Sequence, residues 1–242
     1  MTMITTKPSL LTTMLASACL LVACSHERVQ AAEQLADPGP QVEVADDDLL
    51  AKIVAAQQGV SHVQGRFRQS TTSLEAPDQA PNEYLVQFKF RLPDCYFLQS
   101  SPVSDPEEKE WFISDGKEQV NAEQIMAGVD PIVSRKPVDR DASVFQRVGD
   151  FFSMDLEALR KDFTVVARLP ADSEADGSAA VVELKPIGGR LAEDVRTITV
   201  FLDAKYRTQA VVIDDQQDNR LRIAVEEADY TTEIPDAAFT WP

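Results

Sequence analysis

Histidine, cysteine and basic side chains are scarce in this chain, and each scarcity closes off a class of function. Only two histidines, His26 and His62, occur in 242 residues. Neither has partners at metal-ligand spacing, so no metal centre is expected. The chain has no G-x-S-x-G nucleophile elbow and no phosphate-cradling loop. His62, next to Ser61, therefore reads as a strand residue, and few reagents remain for an enzyme. Of the three cysteines, Cys19 and Cys24 fall near the N-terminus, which leaves Cys95 as a lone packing thiol outside any disulfide framework. Lys and Arg number 23 against 40 Asp and Glu, a formal net charge of -17. Bases scattered among so many acids argue against nucleic acid as a partner, because phosphate binding needs clustered cations. The apolar run at residues 10–21 falls short of the roughly 20 residues that span a bilayer. No cofactor is implied.

What the chain does have begins with that short run. With Lys7 as its only positive charge, the segment 1–23 reads as an export signal. It ends in Leu21-Val22-Ala23-Cys24, which resembles the lipobox of bacterial lipoproteins. The resemblance implies cleavage before Cys24, which would then carry a thioether-linked diacylglycerol and an amide-linked acyl chain. At about 0.8 kcal/mol per buried methylene, three acyl chains hold a protein on a membrane where one binds reversibly. Ser25 follows, and by the sorting rule of enteric lipoproteins it implies the periplasmic face of the outer membrane. Residues 24–45 have no sustained period and contain Pro38-Gly39-Pro40, as a flexible tether would, with His26 solvated in it. The folded domain is then 46–242, and the 44% hydrophobic content of the whole chain is enough for one well-buried core.

Within the domain, Leu49, Leu50, Ile53 and Val54 repeat with helical spacing and Gly59 supplies a stop. The three acids at 46–48 suit the helix N-terminus without any cation. A strand follows, with Val63, Gly65 and Phe67 on one face and Arg66 and Arg68 on the other. In the next, Tyr84, Val86, Phe88 and Phe90 oppose Gln87, Lys89 and Arg91 until Pro93 breaks the run. Four large side chains on one face serve a tight core or the wall of an apolar pocket, and alternation does not separate the two. After W-F-I, Asp115-Gly116 predicts a hairpin turn. Between 124 and 163 the period lengthens. Val144, Val148, Phe151 and Phe152 form one helical stripe and Leu156, Leu159 and Phe163 another, with Ser153 or Asp155 as a cap between them. Strands resume through D-F-T-V-V-A-R, A-V-V-E-L-K-P and Gly188-Gly189. A three-strand meander then fills 194–230, placing Ile198, Val200 and Leu202 on one face. Its turns, at Ala204-Lys205 and 216–219, are too short for parallel crossovers. The two short helices are the natural cover for such a sheet, and a cover of that kind can leave a cavity of about 300–1,000 Å³.

The order of G-R-F-R-Q, R-L-P-D-C-Y-F, I-S-D-G-K, the helical insert, D-F-T-V-V, V-V-E-L-K-P, T-I-T-V-F-L-D and the tail I-P-D-A-A-F-T-W-P resembles the LolA/LolB family of lipoprotein-localisation factors. The likeness covers 46–242 and is strongest in Ser114-Asp115-Gly116-Lys117 and in Asp236-Ala237-Ala238-Phe239-Thr240-Trp241-Pro242. It implies an α+β, mainly antiparallel fold: an incomplete, half-open β-barrel covered by short lid helices, with a hollow that holds the acyl chains of a lipoprotein in transit. Candidate wall residues are Phe67, Tyr84, Val86, Phe88, Phe90, Trp111, Ile113, Phe152, Ile198 and Val200. In the soluble carriers of the family an Arg directly before the strand-ending Pro contacts the lid. Here Leu92 holds that place, and Arg91 should face the other way. The loop at 101–110, which in the membrane receptor carries an exposed apolar side chain, is acidic here with only Val103 as an aliphatic. The functional expectation is a membrane-tethered module binding acyl chains or lipidated proteins in lipoprotein or lipid localisation. The alternative is an RseB-like envelope sensor or scaffold that uses the same fold to bind a protein partner and whose hollow is filled.

Overall fold

The structure, a computed structural model, describes residues 47–92, 94–138, 152, 156–171 and 177–241. Helix α1 (Asp47–Gln57) precedes strands β1 (His62–Ser73), β2 (Asn82–Arg91), β3 (Cys95–Pro102), β4 (Lys109–Asp115), β5 (Glu118–Gln124) and β6 (Ile132–Pro137). Helix α2 (Leu156–Asp162) leads directly into β7 (Phe163–Arg168). Then come β8 (Ala180–Pro186), α3 (Gly189–Asp194), β9 (Val195–Leu202), β10 (Thr208–Asp215), β11 (Asn219–Asp229) and a 3-10 turn (Asp236–Phe239). The strands form one eleven-stranded sheet in the order β6-β5-β4-β3-β2-β1-β11-β10-β9-β8-β7. Every pairing is antiparallel, and β6 and β7 are the two open edges. This is the mainly antiparallel, unclosed sheet with a few short helices that the α+β half-open barrel describes.

Neighbours in the sheet are neighbours in sequence except at its centre, where β1 meets β11. That joint holds two meanders together, and it contains a bulge between Arg66 and Phe67. Gly65 is what lets the backbones approach there. A Cβ on it would overlap the carbonyl oxygen of Glu227 and stand 2.7 Å from that carbonyl's carbon. A bulge bends and twists its strand, which suits the middle of a sheet that must curve. At the far end of the first meander, Gly116 (φ +88°) makes the predicted hairpin turn, and Asp115 Oδ1 accepts from the amides of Lys117 and Glu118, both at 2.8 Å. Those two bonds hold the Asp115 carboxyl below the usual carboxylate range.

Register assigns the faces. On the inner face Val63 lies beside Phe90 and Phe90 beside Tyr96, while Gly65, Phe88, Leu98 and Phe112 form the next row. In the second meander Ile223, Val211, Val200, Val182 and Ala167 make one inner row, and Leu221, Ile213, Ile198, Leu184 and Val165 another. Both halves, together with Leu49, Leu50 and Ile53 of α1, Leu159 of α2 and Phe152, belong to one buried cluster. Each fully buried aliphatic or aromatic side chain contributes roughly 1.5–3 kcal/mol, so the inner face is the main source of stability. The C-terminal end of α1 is fastened to the second meander by polar contacts. The Gln57 side-chain amide donates to the Tyr206 carbonyl, and Arg207 Nη1 donates to Gln57 Oε1 at 2.8 Å.

Two expectations are corrected. The stretch 124–163 is not wholly helical, because Ile132–Pro137 pairs with β5 as an edge strand. All six of its residues are exposed, so it shows no alternation to read. Phe163 belongs to no helical stripe and is instead the first, buried residue of β7. Gly188-Gly189, between β8 and β9, opens the short helix α3. Val144, Val148, Phe151, Ser153 and Asp155 lie outside the described residues, as do the leader, Cys24, His26 and the tether. Among the described residues no helix is long and apolar enough to cross a membrane.

Candidate functional site: the inner apolar face

Eight of the ten candidate wall residues come together. Phe67, Val86, Phe88, Phe90, Phe152, Ile198 and Val200 are buried members of the central cluster, and half-buried Tyr84 packs against it. Alternation in β1, β2 and β9 puts the strand residues on one face, and the β1–β11 joint brings the aromatic half against the aliphatic half. The aromatic side chains interlock. Phe88 touches Phe67 at 5.5 Å, Phe90 at 5.4 Å and Phe152 at 5.1 Å between ring centroids, and Phe152 reaches Phe90 at 5.5 Å. All of these pairs are tilted, within the range where aromatic rings attract. Phe152 is fully buried and closes the group from the helical side. The aromatic part of the inner face is therefore filled by the protein's own side chains. Tyr96, Leu98 and Phe112 extend the cluster across β3 and β4 and were not among the sequence candidates, although the Y-x-L spacing in β3 was there to be read.

At the β4–β5 end the face turns polar and acidic. Glu110, Ser114 and Gln119 are buried there, and Glu110 stands across from Glu123. Burial first, then the negative charges of Glu110 and Glu108, push the Tyr84 hydroxyl pKa up. Burial and Glu108 do the same to the Glu123 carboxyl. This end of the face is thus a poor place for another anion.

Trp111 and Ile113 are not on the inner face. Register puts them on the outer face, where Trp111 lies across from Gln99 and Ala122, and Ile113 across from Phe97 and Val120. The C-terminal segment covers them. The Trp111 and Trp241 rings meet edge to face at 5.4 Å, and Ile234 and Phe239 are buried. Arg91, expected to point away from the lid, does so. It forms an ion pair with Asp236, stacks over Phe239 at 4.9 Å and donates to Cys95 Sγ at 3.3 Å. His62 shares that outer face, with Ser61 Oγ 3.1 Å from its Nδ1 and its Nε2 buried without a hydrogen bond. Among the described residues no three His, Cys, Asp or Glu side chains converge as metal ligands.

No protein-family model and no curated protein matches the sequence. Solved structures do resemble the fold. A LolA superfamily protein from Nitrosomonas europaea aligns at 12% identity and a TM-score of 0.41, covering 82% of this chain and 98% of that one. The Mycobacterium tuberculosis lipoprotein LppX aligns at 12% identity and 0.43, covering 79% and 100%. MucB in the Pseudomonas aeruginosa MucA/MucB complex aligns at 10% identity and 0.39, covering 81% of this chain and 60% of that one. At these values the likeness assigns neither family nor ligand.

Proposed function

We propose that this chain is a non-enzymatic, membrane-tethered binding module that takes acyl chains, free or carried by a lipidated protein, against the inner apolar face, in lipoprotein or lipid localisation. The observation that carries the reading is one continuous apolar cluster on the inner face of a sheet that does not close, capped at its aromatic end by Phe152. Binding there is driven by removing methylenes from water, with little directional bonding, so it selects for chain rather than headgroup. The Phe152 ring occupies the place an acyl chain would take, and its displacement opens the site. The acidic end formed by Glu108, Glu110 and Glu123 disfavours a free carboxylate there, so a bound chain lies with its carboxyl or headgroup away from that end. Residues 1–23 are the export signal, Cys24 is the lipid anchor, 24–45 is the tether and 46–242 is the binding domain at the periplasmic face of the outer membrane.

The test is titration with a fluorescent fatty-acid probe followed by displacement with a diacylated lipopeptide. Saturable uptake reversed by lipopeptide supports the reading, and a chain that takes up no probe defeats it. Mass spectrometry of the mature N-terminus tests the anchor separately, since an unmodified Cys24 would remove the tether and leave the face intact. One observation favours the second reading, an RseB-like sensor or scaffold. The interlocked rings of Phe67, Phe88, Phe90 and Phe152 already fill the aromatic end. On that reading the probe stays out and a protein partner is caught by cross-linking.

A further inference from the structure

The sheet's free edge carries an apolar projection that the inner face does not use. Ile125, Met126, Val129, Ile132 and Val133 fall within nine residues of the β5–β6 hairpin, each with 40–65% of its surface exposed. No other stretch among the described residues exposes large apolar side chains so densely. The tip is ordered. Val129 N–H donates to the Met126 carbonyl at 3.4 Å around Gly128 (φ +79°), and the Gln124 side-chain amide donates to the Val129 carbonyl at 3.2 Å. The turn holds these side chains outward, and β6 pairs only with β5, so no described strand lies beyond it.

We infer that this hairpin docks into the interface of a phospholipid bilayer. The charge pattern selects that occupant. In a chain with 40 acids and 23 bases, residues 124–134, which carry the apolar tip, hold one charged side chain, Asp130, and Glu123 stands just outside them across from Ile132. Arg135 is ion-paired with Glu118 at 3.0 Å, and Lys136 lies about 13 Å along the strand from Ile132, at about 3.3 Å per residue, which puts it at headgroup height when the tip reaches the acyl boundary. A second copy of the chain would bring another -17 against the first, which opposes a protein–protein contact through the same tip. Nor do the apolar residues alternate along one face as an added strand would require, since Ile125, Met126 and Val129 crowd the turn itself. The docking is independent of any ligand on the inner face and can hold where acyl-chain uptake fails.

The experiment places a tryptophan at the tip, Met126→Trp, and a control at Leu169→Trp, an equally exposed apolar site beyond β7. The full chain is bound to vesicles of zwitterionic phosphatidylcholine, which add no negative charge, with and without doxyl-labelled lipid. The expected result is a blue shift and loss of emission from the 126 probe, no change from the 169 probe, and loss of the effect when Val129→Ser and Ile132→Ser are added. Emission unchanged at both positions overturns the inference. Equal quenching at both overturns it too, because the chain would then lie on lipid without using the hairpin. Shielding of the 126 probe before lipid is added, with the chain dimeric at that concentration, would assign the tip to a second copy instead.

Discussion

Replacing Phe152 with alanine separates a plug from a wall, because the two roles give changes of opposite sign. The ring is fully buried and in contact with Phe88 and Phe90 at 5.1 and 5.5 Å. Truncating a buried phenylalanine costs about 3–5 kcal/mol from lost transfer energy and the cavity left behind. If Phe152 holds the ligand's place, that loss falls on the closed form, and the fraction of molecules open to an acyl chain rises. Apparent affinity scales with that fraction, and each 1.4 kcal/mol is a factor of ten, so the gain in probe affinity is at least about tenfold. Urea denaturation reads the first quantity and fatty-acid-probe titration the second. Phe163→Ala is the control. Phe163 is equally buried in the same cluster but starts β7, so it should lower stability by a comparable amount without raising affinity. A Phe152→Ala chain that loses stability while its probe affinity stays flat or falls would refute the plug and make Phe152 part of a permanent core.

Two further substitutions test the frame around the site. Gly65→Ala forces a methyl group into the Glu227 carbonyl at the joint between the meanders, so we expect a loss of about 3 kcal/mol or more in urea midpoint analysis. A change under about 0.5 kcal/mol would mean the bulge is not needed there. Tyr230 lies beneath the Arg207 guanidinium, and its hydroxyl is buried without a hydrogen-bond partner. Burial pushes its pKa up to about 12, against the lowering effect of Arg207. The folded chain therefore keeps a proton that the unfolded chain loses near pH 10, and stability drains away as pH rises from about 10 to about 12. Over that window the tyrosine contributes on the order of 2 kcal/mol of alkaline sensitivity. Tyr230→Phe should flatten the difference and leave stability at pH 7 unchanged or slightly higher, as expected when an unpaired buried polar atom is removed. Parallel pH profiles for the two chains would count against the burial argument.

Alternation was legible wherever one face of a strand is buried and the other is wet. β2 and β9 show this most plainly, and Tyr84, Val86, Phe88, Phe90, Ile198 and Val200 all fall on the side their spacing implied. It failed where that asymmetry is missing. β6 has both faces in solvent and so has no apolar phase. β4 has the opposite problem, because Trp111 and Ile113 are apolar on the outer face while the inner positions are Glu110, Phe112 and Ser114. Choosing the face by apolarity alone there selects the wrong one. Only the β3–β4 register, fixed by the length of the connection after Pro102, decides it. The C-terminal segment that covers Trp111 shows no period at all. Its tie to Arg91 depends on the fold bringing Asp236 and Phe239 back across the sheet.

That covered outer patch bears on where a ligand can go. β3 and β4 carry apolar side chains on both faces, one sealed by the tail and the other facing the helices. Sealing the outer face ties these strands to Ile234 and Phe239, so opening the inner face cannot proceed by peeling them outward. The acidic end at Glu110 and Glu123 bounds the apolar surface on one side, and the Gln57–Arg207–Tyr230 contacts fasten α1 on the other. If the inner face opens as proposed, what is left to move is the helical side that contributes Phe152 and Leu159. An acyl chain admitted there would run along Phe67, Phe88 and Phe90 toward Ile198 and Val200, across the β1–β11 joint. Gly65, the residue without a side chain at the centre of that path, is required by the backbone of the bulge, and it also leaves the middle of the inner face low.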